Sequence, residues 1–143
     1  MNVTVDLRSR TPIYEQIINN IKERALSGEL KPDEQLPSIR QLTHQLGINP
    51  NTIHKAYAEL ERQGVIYSLA GRGAFIAADD EVKKLTHEKR EELMQNIETS
   101  IFAVKKFGAK KDEIKIRIEQ AIDKVYDDSN VNDNIEREEV DSV

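Results

Sequence analysis

The chain contains no cysteine and no tryptophan, and aromatic residues make up 5% of its 143 positions. The lack of cysteine excludes disulfides, a thiol nucleophile and a cysteine-ligated zinc site. No apolar run approaches the roughly 20 residues that a membrane-spanning helix needs. The first ten residues also lack the apolar stretch of a secretory signal. We therefore expect a cytoplasmic protein without a membrane partner.

Acidic residues outnumber basic ones by 26 to 21, and a net charge of −5 argues against nucleic acid as a partner when the chain is taken as a whole. The charge is unevenly distributed. Residues 1–78 contain nine basic and eight acidic residues, whereas residues 127–143 contain one and seven. That C-terminal segment has too few apolar residues to offset the entropy of ordering it, so we predict a disordered acidic tail at 127–143. The rest of the chain is close to neutral.

Start signals for three short helices lie in the first half of the chain. Thr11 is expected to cap the first helix, with Pro12 in its first turn. Ser38 opens a capping box for the second helix. A tight turn follows, after which Asn49 caps a third helix and Pro50 takes its first position. Two capped helices so close together predict a helix-turn-helix, in which the third helix projects its N-terminal end.

Two short β-prone runs, 65–68 and 74–77, follow the third helix and flank Gly71 and Arg72. This spacing predicts a β-hairpin with an arginine at its tip. Three helices and a hairpin make the winged form of the helix-turn-helix, which we assign to residues 11–79. The expected fold class is α+β, mainly α.

Two amphipathic helical patterns occupy residues 81–126. Their apolar positions recur at helical spacing: Leu93, Ile97, Ile101, Val104, Ile114, Ile118, Ala121, Ile122 and Val125. Two helices cannot bury two such faces without a further surface. We predict a helical hairpin that dimerises with a second copy; the alternative is that it folds back on the first domain.

The candidate DNA contacts share a place at a helix start or at the hairpin tip: Ser38, Arg40, Asn49, Asn51, Thr52, His54, Lys55, Gly71 and Arg72. The start of the third helix fits a major groove about 12 Å wide, where Asn51 can bond adenine. Arg72 can enter a narrow minor groove. Backbone N–H groups at the capped helix starts bind phosphates without net positive charge. These residues predict double-stranded DNA as the partner.

Catalysis is the weaker interpretation. The only histidines, His44, His54 and His87, lack a matching carboxylate motif, and no nucleophile motif or phosphate loop is present. We therefore predict no enzymatic activity, metal or cofactor. A winged-helix adaptor that binds proteins without specific DNA binding is the alternative function. Polar residues on the third helix favour DNA, because a protein-binding face should carry apolar or aromatic anchors.

Several segments in fixed order resemble the GntR family of bacterial transcription regulators. They are Pro12-Ile13-Tyr14-Glu15-Gln16-Ile17, Leu36-Pro37-Ser38-Ile39-Arg40, Asn49-Pro50-Asn51-Thr52, Lys55-Ala56-Tyr57, Glu59-Leu60-Glu61, Gly71-Arg72-Gly73 and Phe75-Ile76. The short C-terminal part resembles the YtrA-type branch. The resemblance implies a nucleoid-associated homodimer, usually a repressor, that binds an inverted-repeat operator through the third helix and the wing. Members of that branch often control operons for ABC-type transporters.

Three departures from the family pattern bear on function. Asp33 stands where many members have glycine, and Pro50 and His54 stand where better-known relatives have base-contacting arginines. No operator sequence is therefore carried over. Residues 81–126 are too few for the ligand-binding domain of the larger family, so a small-molecule effector is left unassigned.

Overall fold

The structure is a computed structural model that describes the backbone of residues 1–141 and the side chains of residues 1–127. Its elements follow in the order α1 (Ile13–Ser27), α2 (Ile39–Leu46), α3 (Pro50–Arg62), β1 (Ile66–Leu69), β2 (Gly73–Ile76), α4 (Asp79–Lys106) and α5 (Lys111–Asp141). The chain divides into an N-terminal unit, Met1–Glu92, and a C-terminal unit, Leu93–Val143. The expected α+β, mainly α, winged helix-turn-helix is confirmed.

The first helix begins one residue later than the sequence predicts. Pro12 is the N-cap of α1, with an extended ψ of 146°, and no side chain caps the helix. The carbonyl of Thr11 instead accepts a hydrogen bond from Gln16 Nε2 at 2.8 Å. The expected Thr11 cap is therefore wrong, because the proline, whose ring fixes φ, takes the cap position itself.

The helix-turn-helix follows the predicted start signals. The Ser38 hydroxyl accepts from the N–H of Gln41 at 3.0 Å, and the Gln41 side chain accepts from the N–H of Ser38 at 2.9 Å. Gly47 ends α2 in the left-handed region at φ 63°, and Asn49 Oδ1 accepts from the N–H of Asn51 at 2.9 Å. The capping box and the Asn49 cap are both confirmed.

The predicted hairpin is present, with each of the four strand ends displaced by one residue from the predicted runs. β1 and β2 pair antiparallel, with Ile66 opposite Ile76 and Tyr67 opposite Phe75. Ile66 and Ile76 are buried, while the rings of Tyr67 and Phe75 stack with centroids 5.5 Å apart. Burial falls from the base of the hairpin, where Ile66 and Ile76 lie in the core, toward the exposed tip.

One apolar core holds the N-terminal unit together. Its fully buried large side chains come from all three short helices and the hairpin: Ile17, Ile21, Leu42, Ile53, Leu60, Val65 and Ile76. α1 packs mainly against α3. The start of α4 closes this core with buried Val82. The exposed start of α3 is therefore held on a packed base.

The C-terminal unit contains the end of α4, a turn and α5. Gly108 has φ 89° and donates its N–H to the carbonyl of Lys105 at 3.1 Å, which ends α4 near the predicted position. α5 continues through Asp141, past Tyr126, where the sequence analysis ended the last helix. Helix periodicity identifies apolar faces, and a helix without such a face gives no signal of where it ends. The side chains of 128–143 lie outside the described residues, and the expected disorder of 127–143 stays a prediction.

Candidate nucleic-acid interface

The first turns of α3 separate a core face from a polar face. Ile53, Ala56 and Tyr57 are buried, whereas Asn51 and His54 are exposed and Thr52 is half-buried. This separation follows from helical periodicity, since residues three and four apart share a face. The predicted DNA-contacting side chains of α3 are thus accessible to a ligand. Asn49 differs from them, because its side-chain oxygen already caps the helix.

Lys55 has a neighbour that the sequence analysis did not assign to the site. Its ammonium lies 3.8 Å from the centroid of the Tyr14 ring, a cation–π contact. The Tyr14 hydroxyl donates to Glu15 Oε1 at 3.2 Å, and this bond raises the pKa of Tyr14. The sequence analysis named Tyr14 only within a segment that resembles the GntR family, and periodicity gives no sign that its ring faces α3. The contact packs Lys55 of α3 against the first turn of α1.

Arg40 lies in the first turn of α2, between the two residues of the capping box, Ser38 and Gln41. Its side chain is exposed and forms no ion pair within the part of the chain that the structure describes. Ser38 differs, since both its backbone N–H and its hydroxyl are used in the cap. Arg40 is therefore the group at this helix start that is available for an anion.

A buried hydroxyl joins α3 to the start of α2. Tyr57 donates to the carbonyl of Pro37 at 2.7 Å, and burial raises the pKa of this phenol far above its usual value. The sequence analysis named Tyr57 only within a segment that resembles the GntR family and did not predict this bond. The bond sets the position of Pro37, and so of the adjoining cap of α2, relative to α3.

The wing tip presents Arg72 on a tight turn. The N–H of Arg72 donates to the carbonyl of Leu69 at 3.0 Å, and Gly71 before it has φ 74°. The Arg72 side chain is exposed and has no ion-pair partner among the residues with described side chains. A cation at a hairpin tip is thereby left free to meet an external anion.

A groove of about 540 Å³ runs between the start of α2, α3 and the wing. Of the predicted site residues, it brings together Ser38, Arg40, His54 and Gly71. The other predicted site residues lie outside its lining: Asn49, Asn51, Thr52, Lys55 and Arg72. Glu61 lines the same groove, so the site is a concave surface that carries polar and cationic groups and one carboxylate.

Acidic residues of α3 lie toward its other end. Arg62 Nε donates to Glu59 Oε2 at 2.9 Å, and this bond is the main cause that lowers the pKa of Glu59 to about 2. Gln63 Nε2 also donates to Glu59, at 3.0 Å. Because Glu59 is paired with Arg62, its carboxylate does not pair with Arg40 or Lys55.

Within the described part of the chain, no three His, Cys, Asp or Glu side chains are grouped so that they could hold a metal ion. No helix of that part combines the length and apolar character needed to cross a bilayer.

Three helices, the last of them exposed at its start, and a two-stranded hairpin define the class of winged helix-turn-helix proteins. The family described as "Bacterial regulatory proteins, gntR family" matches residues 13–76. The chain belongs to this GntR family. As predicted, its family and relatives are transcription regulators and not enzymes.

Two relatives from Bacillus subtilis (strain 168) are similar over different lengths. The "HTH-type transcriptional repressor YtrA" is 53% identical over 75 residues, which are 52% of this chain and 58% of the relative. The "Uncharacterized HTH-type transcriptional regulator YhcF" is 36% identical over 108 residues, or 75% of this chain and 87% of the relative. The match to YtrA thus spans less than two thirds of that protein.

One solved structure is similar over most of the chain. A transcriptional regulator from Oenococcus oeni superimposes with a TM-score of 0.71 at 31% identity. The match covers 83% of this chain and 98% of that one, so the likeness extends beyond the winged domain.

Proposed function

We propose that this protein is a transcription repressor that binds an inverted-repeat DNA operator as a homodimer. The observation that carries the proposal is one surface on which exposed groups of α2, α3 and the wing occur together without neutralising partners. Arg40 and Arg72 form no ion pair among the described residues, whereas Glu59 and Glu29 each pair with a nearby arginine. Free cations on a near-neutral domain suit a polyanion.

In this proposal the start of α3 enters the major groove. Asn51 and His54 are exposed there, and amide and imidazole groups form hydrogen bonds with purine edges. Thr52 offers a hydroxyl and a methyl, and Lys55 offers a cation for phosphate. Asn49 and Ser38 act through their helix caps, which hold backbone N–H groups ready for phosphate oxygens.

The wing is assigned to the minor groove. Arg72 is carried on a narrow two-stranded hairpin, and the neighbouring Gly71 adds no side chain to the tip. A guanidinium is attracted by the negative potential of a narrow, A·T-rich minor groove. Contacts in both grooves would give one winged domain a half-site.

The homodimer is proposed to form through the C-terminal unit. α4 and α5 line an apolar groove of about 620 Å³ that includes Ile101, Ile114 and Ile118. Leu93 and Ile97, on the same groove, each remain 49% exposed in the single chain. A half-exposed apolar stripe of this length suits a second copy, whose identical stripe is self-complementary under two-fold symmetry.

Repression, and an ABC-transporter operon as the target, are proposed from the similarity to YtrA and from the branch that the sequence resembles. A cytoplasmic, nucleoid-associated location follows from the same reasoning. For the adaptor alternative, the described N-terminal unit offers few exposed large apolar residues: Met1, Leu7 and Leu69. None lies on α3, and Leu69 alone lines the groove, which favours DNA over a protein at this surface.

Selection of DNA from a fragmented bacterial genome by the purified full chain tests the proposal. We expect retained fragments to share an inverted repeat whose half-sites lie about one or more helical turns apart. The logarithm of the binding constant should fall steeply with the logarithm of salt concentration. Failure to retain any fragment above background, or a flat salt dependence, would reject DNA as the partner.

A further inference from the structure

The segment that precedes α2 runs along the outer edge of the wing. Leu36 donates its N–H to the carbonyl of Ala74 at 2.8 Å, and Ile76 donates to the carbonyl of Glu34 at 2.9 Å. Asp33 adds a bond to the carbonyl of Ile76 at 3.0 Å. Residues 33–36 therefore lie alongside β2 like a short third strand. Their backbone hydrogen bonds support the hairpin.

One side chain of this segment reaches the wing tip. Gln35 Nε2 donates to the carbonyl of Arg72 at 2.8 Å, across 37 positions of sequence. A Cβ added at Gly73 would lie 3.1 Å from that same nitrogen, so the glycine leaves room for the amide. Together with the bond from the Arg72 N–H to Leu69, the backbone of Arg72 is held on both its N–H and its carbonyl side.

We propose that Gln35 is a positioning residue for Arg72, holding the wing tip in the orientation from which the guanidinium enters the minor groove. This inference rests on the proposed function, in which Arg72 contacts DNA. A tip held in its bound orientation loses less conformational entropy on binding than a freely moving one. Gln35 itself makes no contact with DNA in this account.

The same segment also connects the wing to α3. It continues into Pro37, whose carbonyl accepts the Tyr57 hydroxyl at 2.7 Å. Residues 35–37 thus hold the wing tip through Gln35 and α3 through Pro37. A substitution at Gln35 should therefore change the position of the wing tip relative to α3, while α3 itself stays in place. The minor-groove contact should weaken and the major-groove contact should remain.

A double-mutant cycle on the full chain tests this role. The hydrogen bond is made to the backbone of position 72, so Arg72→Ala removes the guanidinium and keeps the bond. Gln35→Met removes the donor without changing charge, at an exposed position where folding should be preserved. The probe is a labelled duplex selected from random DNA by the wild-type chain.

We expect Gln35→Met to weaken binding about fivefold, as for loss of one hydrogen bond, and to remove hydroxyl-radical protection of the minor groove under the wing. In the Arg72→Ala background the same change should cost nothing further. Gln45→Met is the matched control, since Gln45 is exposed on α2 and has no side-chain hydrogen bond in the described structure. It should leave affinity unchanged.

The outcomes separate the inference from the proposed function. Equal losses from Gln35→Met in both backgrounds, or no loss in the presence of Arg72, would overturn the positioning role alone. An Arg72→Ala variant that binds as tightly as wild type would overturn the assigned contact of the wing, and the positioning role with it.

Discussion

The N-terminal and C-terminal units are both built around amphipathic helices, yet they bury their apolar faces to different extents. Every buried apolar residue with a described side chain, from Val3 to Val82, lies in the N-terminal unit. From Leu93 to residue 127 no side chain is buried, and Ile97 and Ile122 are about half exposed. The same sequence periodicity therefore produces a complete core in one unit and an unfinished surface in the other. The first unit suits a role as a DNA reader, and the second suits assembly.

The largest effect is expected from a cavity in the complete core. Leu60→Ala removes a fully buried side chain of α3 and should lower the free energy of unfolding by about 3 kcal/mol. Urea unfolding followed by tyrosine fluorescence measures this, because Tyr14, Tyr57 and Tyr67 all lie in the N-terminal unit.

Met94→Ala is the matched control, since Met94 is 54% exposed in the single chain and lies outside the lining of the C-terminal apolar groove. It should change the same transition by less than about 1 kcal/mol. Equal effects of the two substitutions would mean that the units do not differ in burial as described.

The second prediction concerns the half-exposed apolar groove of the C-terminal unit. Ile97→Asp places a charge on the apolar groove of the C-terminal unit and should raise the dissociation constant of the proposed homodimer about thirtyfold, as for an interface hot spot. Sedimentation equilibrium measures the change. Gln95→Asp, on the exposed surface of the same helix and outside the groove lining, should leave the association intact. A wild-type chain that sediments as a monomer at high concentration would contradict the proposed interface.

A substitution with a smaller expected effect distinguishes DNA binding from homodimer formation. Arg72→Ala should weaken binding of a selected operator duplex about tenfold, in the range for loss of one arginine contact, and leave sedimentation unchanged. Fluorescence anisotropy titration measures the affinity. Arg90→Ala is the control, because Arg90 is also exposed but lies on α4. If both substitutions weaken binding equally, loss of overall positive charge explains the result, and the wing has no special role.

The support of the wing gives a fourth test, within the N-terminal unit. Asp33 has φ 63°, the only positive φ of a non-glycine residue in the described backbone, and its carboxylate accepts from the Tyr67 hydroxyl at 2.9 Å. Asp33→Ala should lower the free energy of unfolding by about 1 kcal/mol, because an alanine tolerates this φ less well and loses the bond. Asp33→Gly relieves the backbone and loses only the bond, so its denaturation midpoint should lie above that of Asp33→Ala. The reverse order would show that φ is not the source of the cost.

Local signals in the sequence predicted most of the N-terminal unit. The capping box at Ser38, the Asn49 cap and the hairpin around Arg72 depend on neighbouring residues, and each is confirmed. The cap of α1 was misplaced, because a proline can serve as the cap or follow it. Departure from the family pattern at Asp33 also had a physical meaning, since that position does adopt the left-handed region where glycine is favoured.

Contacts between residues far apart in sequence were not predictable. Lys55 over the ring of Tyr14, Tyr57 to Pro37, and Gln35 to Arg72 each join separate elements. Periodicity assigns a residue to a face without saying which polar atom of another element meets it. The candidate site could therefore be listed by residue type, while the bonds that hold its parts together came only from the structure.

The smallest expected effect is that of removing the acidic segment, residues 127–143. It distinguishes long-range repulsion of DNA by net charge from a direct contact of the segment with the DNA-binding surface. Residues 127–143 carry a charge of −6, so their removal would change the formal net charge of the chain from −5 to +1. Non-specific affinity for DNA should rise a few-fold at low salt, because a charge of that size repels phosphates over a Debye length of about 30 Å at 0.01 M. At 0.15 M salt, where that length is about 8 Å, the gain should disappear. Anisotropy titrations of both chains with a random-sequence duplex at the two salt concentrations measure this. A gain that persists at high salt would point to a direct contact of the segment with the DNA-binding surface in place of long-range repulsion.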